Sequence, residues 1–129
     1  MGATAGEAFP DGFVDGVALF NGGDFFEAHE AFEELLDAVE NDTRWELLIA
    51  LIQVAVAYHK GAAGHPGMGR MLALGGEKLA PFAEDAWGID VNALRVRVAA
   101  DLAALDRGEP VTASLGDDPP RIRLLGRSA

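Results

Sequence analysis

The chain reads as an all-α protein: a compact bundle of about five helices around a central apolar helix, with an extended C-terminal tail. Three observations carry that expectation. From Leu47 to Ala57 every residue except Gln53 is apolar, and a helix apolar on nearly all sides belongs at the centre of a fold. The flanking segments repeat apolar residues at three- and four-residue spacing between Pro, Gly, Asn and Asp punctuation. No alternating strand pattern of useful length interrupts them. A length of 129 residues suits one domain that folds without a disulfide or metal.

The elements follow in order. Residues 1–9 read as a flexible leader, 10–108 as the helical domain and 109–129 as the tail. Pro10-Asp11 starts a first helix, with Phe13, Val14, Val17 and Phe20 on one side and Asn21-Gly22-Gly23 ending it. Asp24 is placed to cap a second, running to about Val39, with Phe25, Ala28, Phe32, Leu35, Leu36 and Val39 as its buried stripe. Asn41-Asp42-Thr43 caps the central helix, expected from about Arg44 to Lys60. Glu46, Gln53 and Lys60 recur every seven residues and form its polar stripe. Gly61 to Gly69 reads as a loop. A fourth helix spans about Met68 to Pro81, weakened by Gly75-Gly76. Asp90 caps a fifth, with Val91, Leu94, Val98, Leu102 and Leu105 inward and Gly108 at its end.

Charge narrows the function. The chain carries 21 acidic and 10 basic residues, a net charge of −11. Such a chain lacks the basic face that binds nucleic acid. No apolar run is long enough to span a membrane. The absence of cysteine excludes disulfides and thiolate metal sites. Nothing before Pro10 resembles a secretory signal, so the cytoplasm is the default location. Only two of the bases are lysine, Lys60 and Lys78, and 23 residues are alanine. That composition suggests adaptation to concentrated salt, where carboxylate repulsion is screened. Twelve acids and one base fall between Met1 and Glu46. The basic segment Arg121 to Arg127 is the expected partner for them.

The second helix carries the chemistry. His29 lies about 40° round from Phe25, at the edge of the buried stripe. Glu33 stands four residues on, where side chains meet. Glu27, Glu30 and Glu34 face solvent. His59 shares a stripe of the central helix with Leu48, Ile52 and Ala55, and is expected to be at least partly buried. His29, Glu33 and His59 are then expected to form one network, with Gln53 either reaching it or facing solvent.

Two strings give this pattern a resemblance. Leu19-Phe20-Asn21-Gly22-Gly23-Asp24-Phe25-Phe26-Glu27-Ala28-His29-Glu30, continued by Glu33, is one. Leu51-Ile52-Gln53-Val54-Ala55-Val56-Ala57-Tyr58-His59, followed by a glycine loop, is the other. Together they resemble the domain-of-unknown-function 309 family over about residues 11–82. The resemblance implies a small all-helical protein with no assigned activity, and a pattern falling on Phe20, Phe26, Glu27, His29, Glu30, Glu33, Gln53 and His59. Leu36 stands where relatives often carry tryptophan, and Gly64-His65 departs from their usual Gly-Asn loop.

The functional expectation is a ligand-binding or interaction domain using Glu27, His29, Glu30, Glu33, Gln53 and His59. No cofactor is expected. The alternative is a metal-dependent hydrolase in which His29, Glu33 and His59 hold a divalent metal ion. The H-E-x-x-H pattern is incomplete, because Glu33 stands where the second histidine would be. A serine hydrolase is disfavoured, since Ser114 and Ser128 are the only serines and both lie near the C-terminus. Phe26, off the buried stripe, could anchor an unidentified small molecule or a second copy of the chain. Trp45 and Tyr58 read as helix-margin aromatics that widen the core.

Overall fold

The computed structural model describes residues 9–82, 86–109 and 118–125. Within them lie five α-helices: α1 (Phe13–Asn21), α2 (Phe25–Glu33), α3 (Thr43–Ala62), α4 (Met68–Leu79) and α5 (Val91–Asp106). Short 3-10 turns occupy Leu36–Val39 and Ala86–Gly88. The described residues hold no strand, only an isolated bridge between Ile89 and Leu124. None of their helices is long and apolar enough to cross a membrane.

Each helix packs on the next, and α3 packs against both α2 and α4, while Phe20 of α1 and Asp101 of α5 reach its Tyr58. This is the expected bundle with its apolar helix at the centre. Leu47, Leu48, Leu51, Val54, Ala55 and Tyr58 of α3 are all fully buried. Asp42 caps this helix, its carboxylate accepting from the Arg44 backbone N–H at 2.9 Å.

Glycines set where the helices end and how closely they meet. Gly23, at φ 87°, closes α1: its N–H reaches the Phe20 carbonyl and the Asp24 N–H reaches Leu19. That bond pattern is a Schellman motif. Asp24 therefore ends α1 through its backbone, and its side chain makes no capping bond to α2. Gly16 faces the core, where a Cβ would meet the Phe32 ring at 2.6 Å. Val14, expected inside, is exposed instead. Gly75 lets α4 approach α3, since a Cβ there would lie 2.6 Å from a Val54 methyl. What reads in sequence as a weak helix is thus a close crossing.

Two boundaries differ from expectation. The α-helical part of the second segment stops at Glu33, and Leu36–Val39 winds as 3-10. Continuing the α-helix would add a second like-charge pair four apart, Glu33 on Asp37, to that of Glu30 and Glu34, near the negative end of its dipole. The tighter turn still buries Leu35 and Val39, while Leu36 is half-buried. The central helix runs on through Gly61 to Ala62, and Met68 fills the space where a Gly61 side chain would stand.

The bundle extends beyond its expected ends. Phe9, read as leader, is buried and stacked on Phe13 with ring centroids 4.0 Å apart. In the tail, Ile122 is buried. The Asn21 amide holds it as a strand partner would, donating to the Ile122 carbonyl at 3.0 Å and accepting from its N–H at 2.8 Å. The Arg123 carbonyl accepts from the Asp90 N–H at 2.9 Å, and the Gly88 carbonyl accepts from Leu125 at 2.8 Å. The tail so ties the end of α1 to the start of α5. Its expected charge pairing with the acidic first third is not what holds the described residues. Arg123 pairs with Asp90, and Asn21 makes the link to α1 through neutral hydrogen bonds.

Candidate functional site

The α2 residues Phe26, His29, Glu30 and Glu33 are spaced three and four apart, so they share one side of the helix. Phe26 is 46 % exposed, an unusual position for a large apolar ring. It is flanked by both histidines: the His29 ring lies 4.8 Å away and the His59 ring 5.2 Å away, centroid to centroid. The sequence separates these groups by thirty residues, and the α2–α3 packing brings them together.

His29 is held at a defined angle. Its Nδ1 lies 2.5 Å from the Phe26 carbonyl oxygen. A carbonyl only accepts, so Nδ1 carries the proton and Nε2 is the free nitrogen of the neutral ring. That Nε2 faces Glu33, 3.5 Å from Oε1. The His29 side chain is 15 % exposed and that of Glu33 54 %. The pair lies at the core edge, as expected, and can form an ion pair when His29 is protonated.

His59 stands differently from expectation. It is exposed, although it shares a stripe with buried Leu48, Ile52 and Ala55. Position 59 is near the end of α3, where the Phe26 ring is its aromatic neighbour from α2. A single hydrogen-bonded network of His29, Glu33 and His59 does not form. The Phe26 ring stands against both imidazoles instead. Glu27 and Glu30 are exposed beside this face. Gln53 is partly buried, and its Oε1 has no hydrogen-bond partner among the described residues. Among those residues no group of three or more His, Asp and Glu side chains could hold a metal ion.

Residues 13–72 match the family model described as Domain of unknown function (DUF309). The match covers α1 to α3 and the first turn of α4, and therefore every residue of the Phe26 face. Helix α5 and the tail lie beyond the DUF309 match. None of the curated proteins matches the chain.

The buried polar network lies elsewhere, mostly on α5 outside the DUF309 match, and little in the sequence pattern points to it. The Tyr58 hydroxyl donates to Asp101 Oδ2 at 2.6 Å, and Arg97 Nε donates to the same oxygen at 2.9 Å. Arg97 Nη1 lies 3.8 Å from the Asp118 carboxylate of the tail. Burial first, and then the bond to Asp101, push the Tyr58 hydroxyl well above the ordinary tyrosine range. The one available signal was the i, i+4 spacing of Arg97 and Asp101 on the inward side of α5. The loop histidine His65 is also committed locally, its Nδ1 accepting from the Gly67 N–H at 2.9 Å.

Proposed function

We propose that this protein is a binding module whose recognition face is Phe26 flanked by His29 and His59, with Glu27, Glu30 and Glu33 as its acidic rim. The observation that carries the reading is the exposed phenylalanine between two imidazoles. The ring is half in water, so its contribution to the core is partial, while the histidines limit the directions it can take. A fixed aromatic with polar neighbours is a suitable anchor for a partner, because little conformational entropy remains to be lost on binding. The net charge and lysine shortage support a role in a salt-rich cytoplasm, where an apolar anchor keeps its strength while charge contacts are screened.

A second reading, a divalent metal site serving hydrolysis, is favoured by one observation. The Nδ1 bond to the Phe26 carbonyl leaves the Nε2 lone pair beside the Glu33 carboxylate, which is how metal-binding histidines are commonly oriented. Two donors meet there. His59 would have to supply the third from beyond the Phe26 ring.

Thermal melts of Phe26→Ala, His29→Ala and His59→Ala separate a binding face from a structural one. A binding face predicts losses of about 1 kcal/mol or less for the histidine variants, the size usual for surface positions. Losses of about 3 kcal/mol or more would mark the cluster as part of the core and overturn the reading.

A further inference from the structure

The other end of α3 carries a second concave surface. Trp45, Glu46 and Ile49 from the first turns of α3 line it together with Glu77 of α4, Phe82 and Trp87. The groove encloses about 760 Å³, within the usual size of small-molecule sites. Ile49 and His59 are ten residues apart on one helix, so this groove lies about 15 Å along the axis from the Phe26 face.

Both tryptophans are placed at some cost to ordinary folding preference. Trp45 keeps 40 % of its surface exposed at the groove. Trp87 has a left-handed backbone, φ 55° and ψ 29°, which a bulky side chain rarely adopts. The tail over-determines that turn, through the Leu125 bond to the Gly88 carbonyl and the Arg123 bond to the Asp90 N–H. The groove is also negative. Glu46 and Glu77 line it against one cation among the described lining residues, Lys78. The adjoining depression shares Thr43, Trp45 and Glu46 with it and adds Asp37 and Glu40.

We infer that this groove binds an organic cation with a flat apolar body, such as an aryl-substituted ammonium. The indole faces attract the positive charge and the rest of the body packs against Ile49 and Phe82. Glu46 and Glu77 add charge complementarity that a neutral ligand of equal shape does not use.

The chain contains only these two tryptophans, so its intrinsic fluorescence reports on the groove directly. The test is a titration with phenethylammonium and, separately, with 2-phenylethanol, in a buffer where circular dichroism shows the chain folded. The expected result is a saturable emission change, with the ammonium binding about tenfold more tightly than the alcohol. In the Glu46→Gln/Glu77→Gln variant, whose substitutions are at exposed positions, that preference should fall to about twofold or less. Equal affinity for the two probes overturns the inference. So does the absence of a saturable change, or a preference that survives intact in the variant.

Discussion

The Tyr58 hydroxyl donates to the Asp101 carboxylate at 2.6 Å, joining the central helix to α5 across 43 residues of sequence. Arg97 shares the same carboxylate oxygen. A buried charge of this kind is tolerable because it is both paired and hydrogen-bonded. Removing the hydroxyl while keeping the ring should cost about 1–3 kcal/mol, since Asp101 would lose a buried donor. Chemical denaturation of Tyr58→Phe against the wild type measures it. A change below about 0.3 kcal/mol would show that the bond contributes nothing net.

The same hydroxyl sets an alkaline limit. Its pKa in the fold is raised, so the neutral phenol is the form that stabilises the native state. That stabilisation is complete below the unfolded tyrosine value of about 10 and is lost as pH rises past it towards the folded value. Wild-type stability should therefore fall above about pH 10, and Tyr58→Phe should show a shallower decline. Parallel pH-dependent denaturation of the two proteins checks this.

Gly75→Ala should destabilise the protein although alanine is the better helix former. The propensity gain is about 1 kcal/mol at most. Against it, the new methyl would meet Val54 Cγ2 at 2.6 Å and the Val54 backbone nitrogen at 3.2 Å, and the backbone cannot rotate aside. Overpacking of that kind costs about 1–3 kcal/mol, so a net loss is expected. Gly61→Ala should be milder, because what it meets is the flexible end of Met68. Melting both variants side by side tests the ranking.

These glycines show what was legible in the sequence and what was not. Periodicity and punctuation located all five helices, and the fully apolar run from Leu47 identified the central one. Such patterns report whether a face is buried, but not what lies against it. Hence Gly75 reads as a defect when it is a contact, and nothing in the pattern marks Gly16, which seats Phe32. The same limit applied to the site. The i, i+4 rule placed His29 beside Glu33, a local relation. The exposure of His59 depends on how far α2 extends over α3, and the Phe26 contact to both histidines depends on that crossing too. Asp101 was missed for a related reason: one acid among apolar neighbours on α5 has meaning only when Tyr58 is seen opposite.

Salt should stabilise this chain. Its charge of −11 is concentrated in the first third, and molar salt shortens the screening length to about 3 Å. The melting temperature should rise between dilute buffer and molar sodium chloride. A fall would contradict salt adaptation, because few described ion pairs are available for salt to weaken.

Zinc titration distinguishes the two readings of the His29–Glu33 pair. A two-donor site should bind weakly and lose its heat of binding in His29→Ala and in Glu33→Gln, with His59→Ala unchanged. If the His59 variant also abolishes binding, three ligands converge and the metal reading gains over the binding module.

The most direct measurement replaces Phe26 with the photoreactive analogue p-benzoylphenylalanine in living cells, with Val96 of α5, which is even more exposed, as control. Irradiation followed by mass analysis should give one dominant adduct at position 26 that is absent at position 96. No adduct at position 26, or the same adducts at both positions, would contradict a recognition role for the Phe26 face.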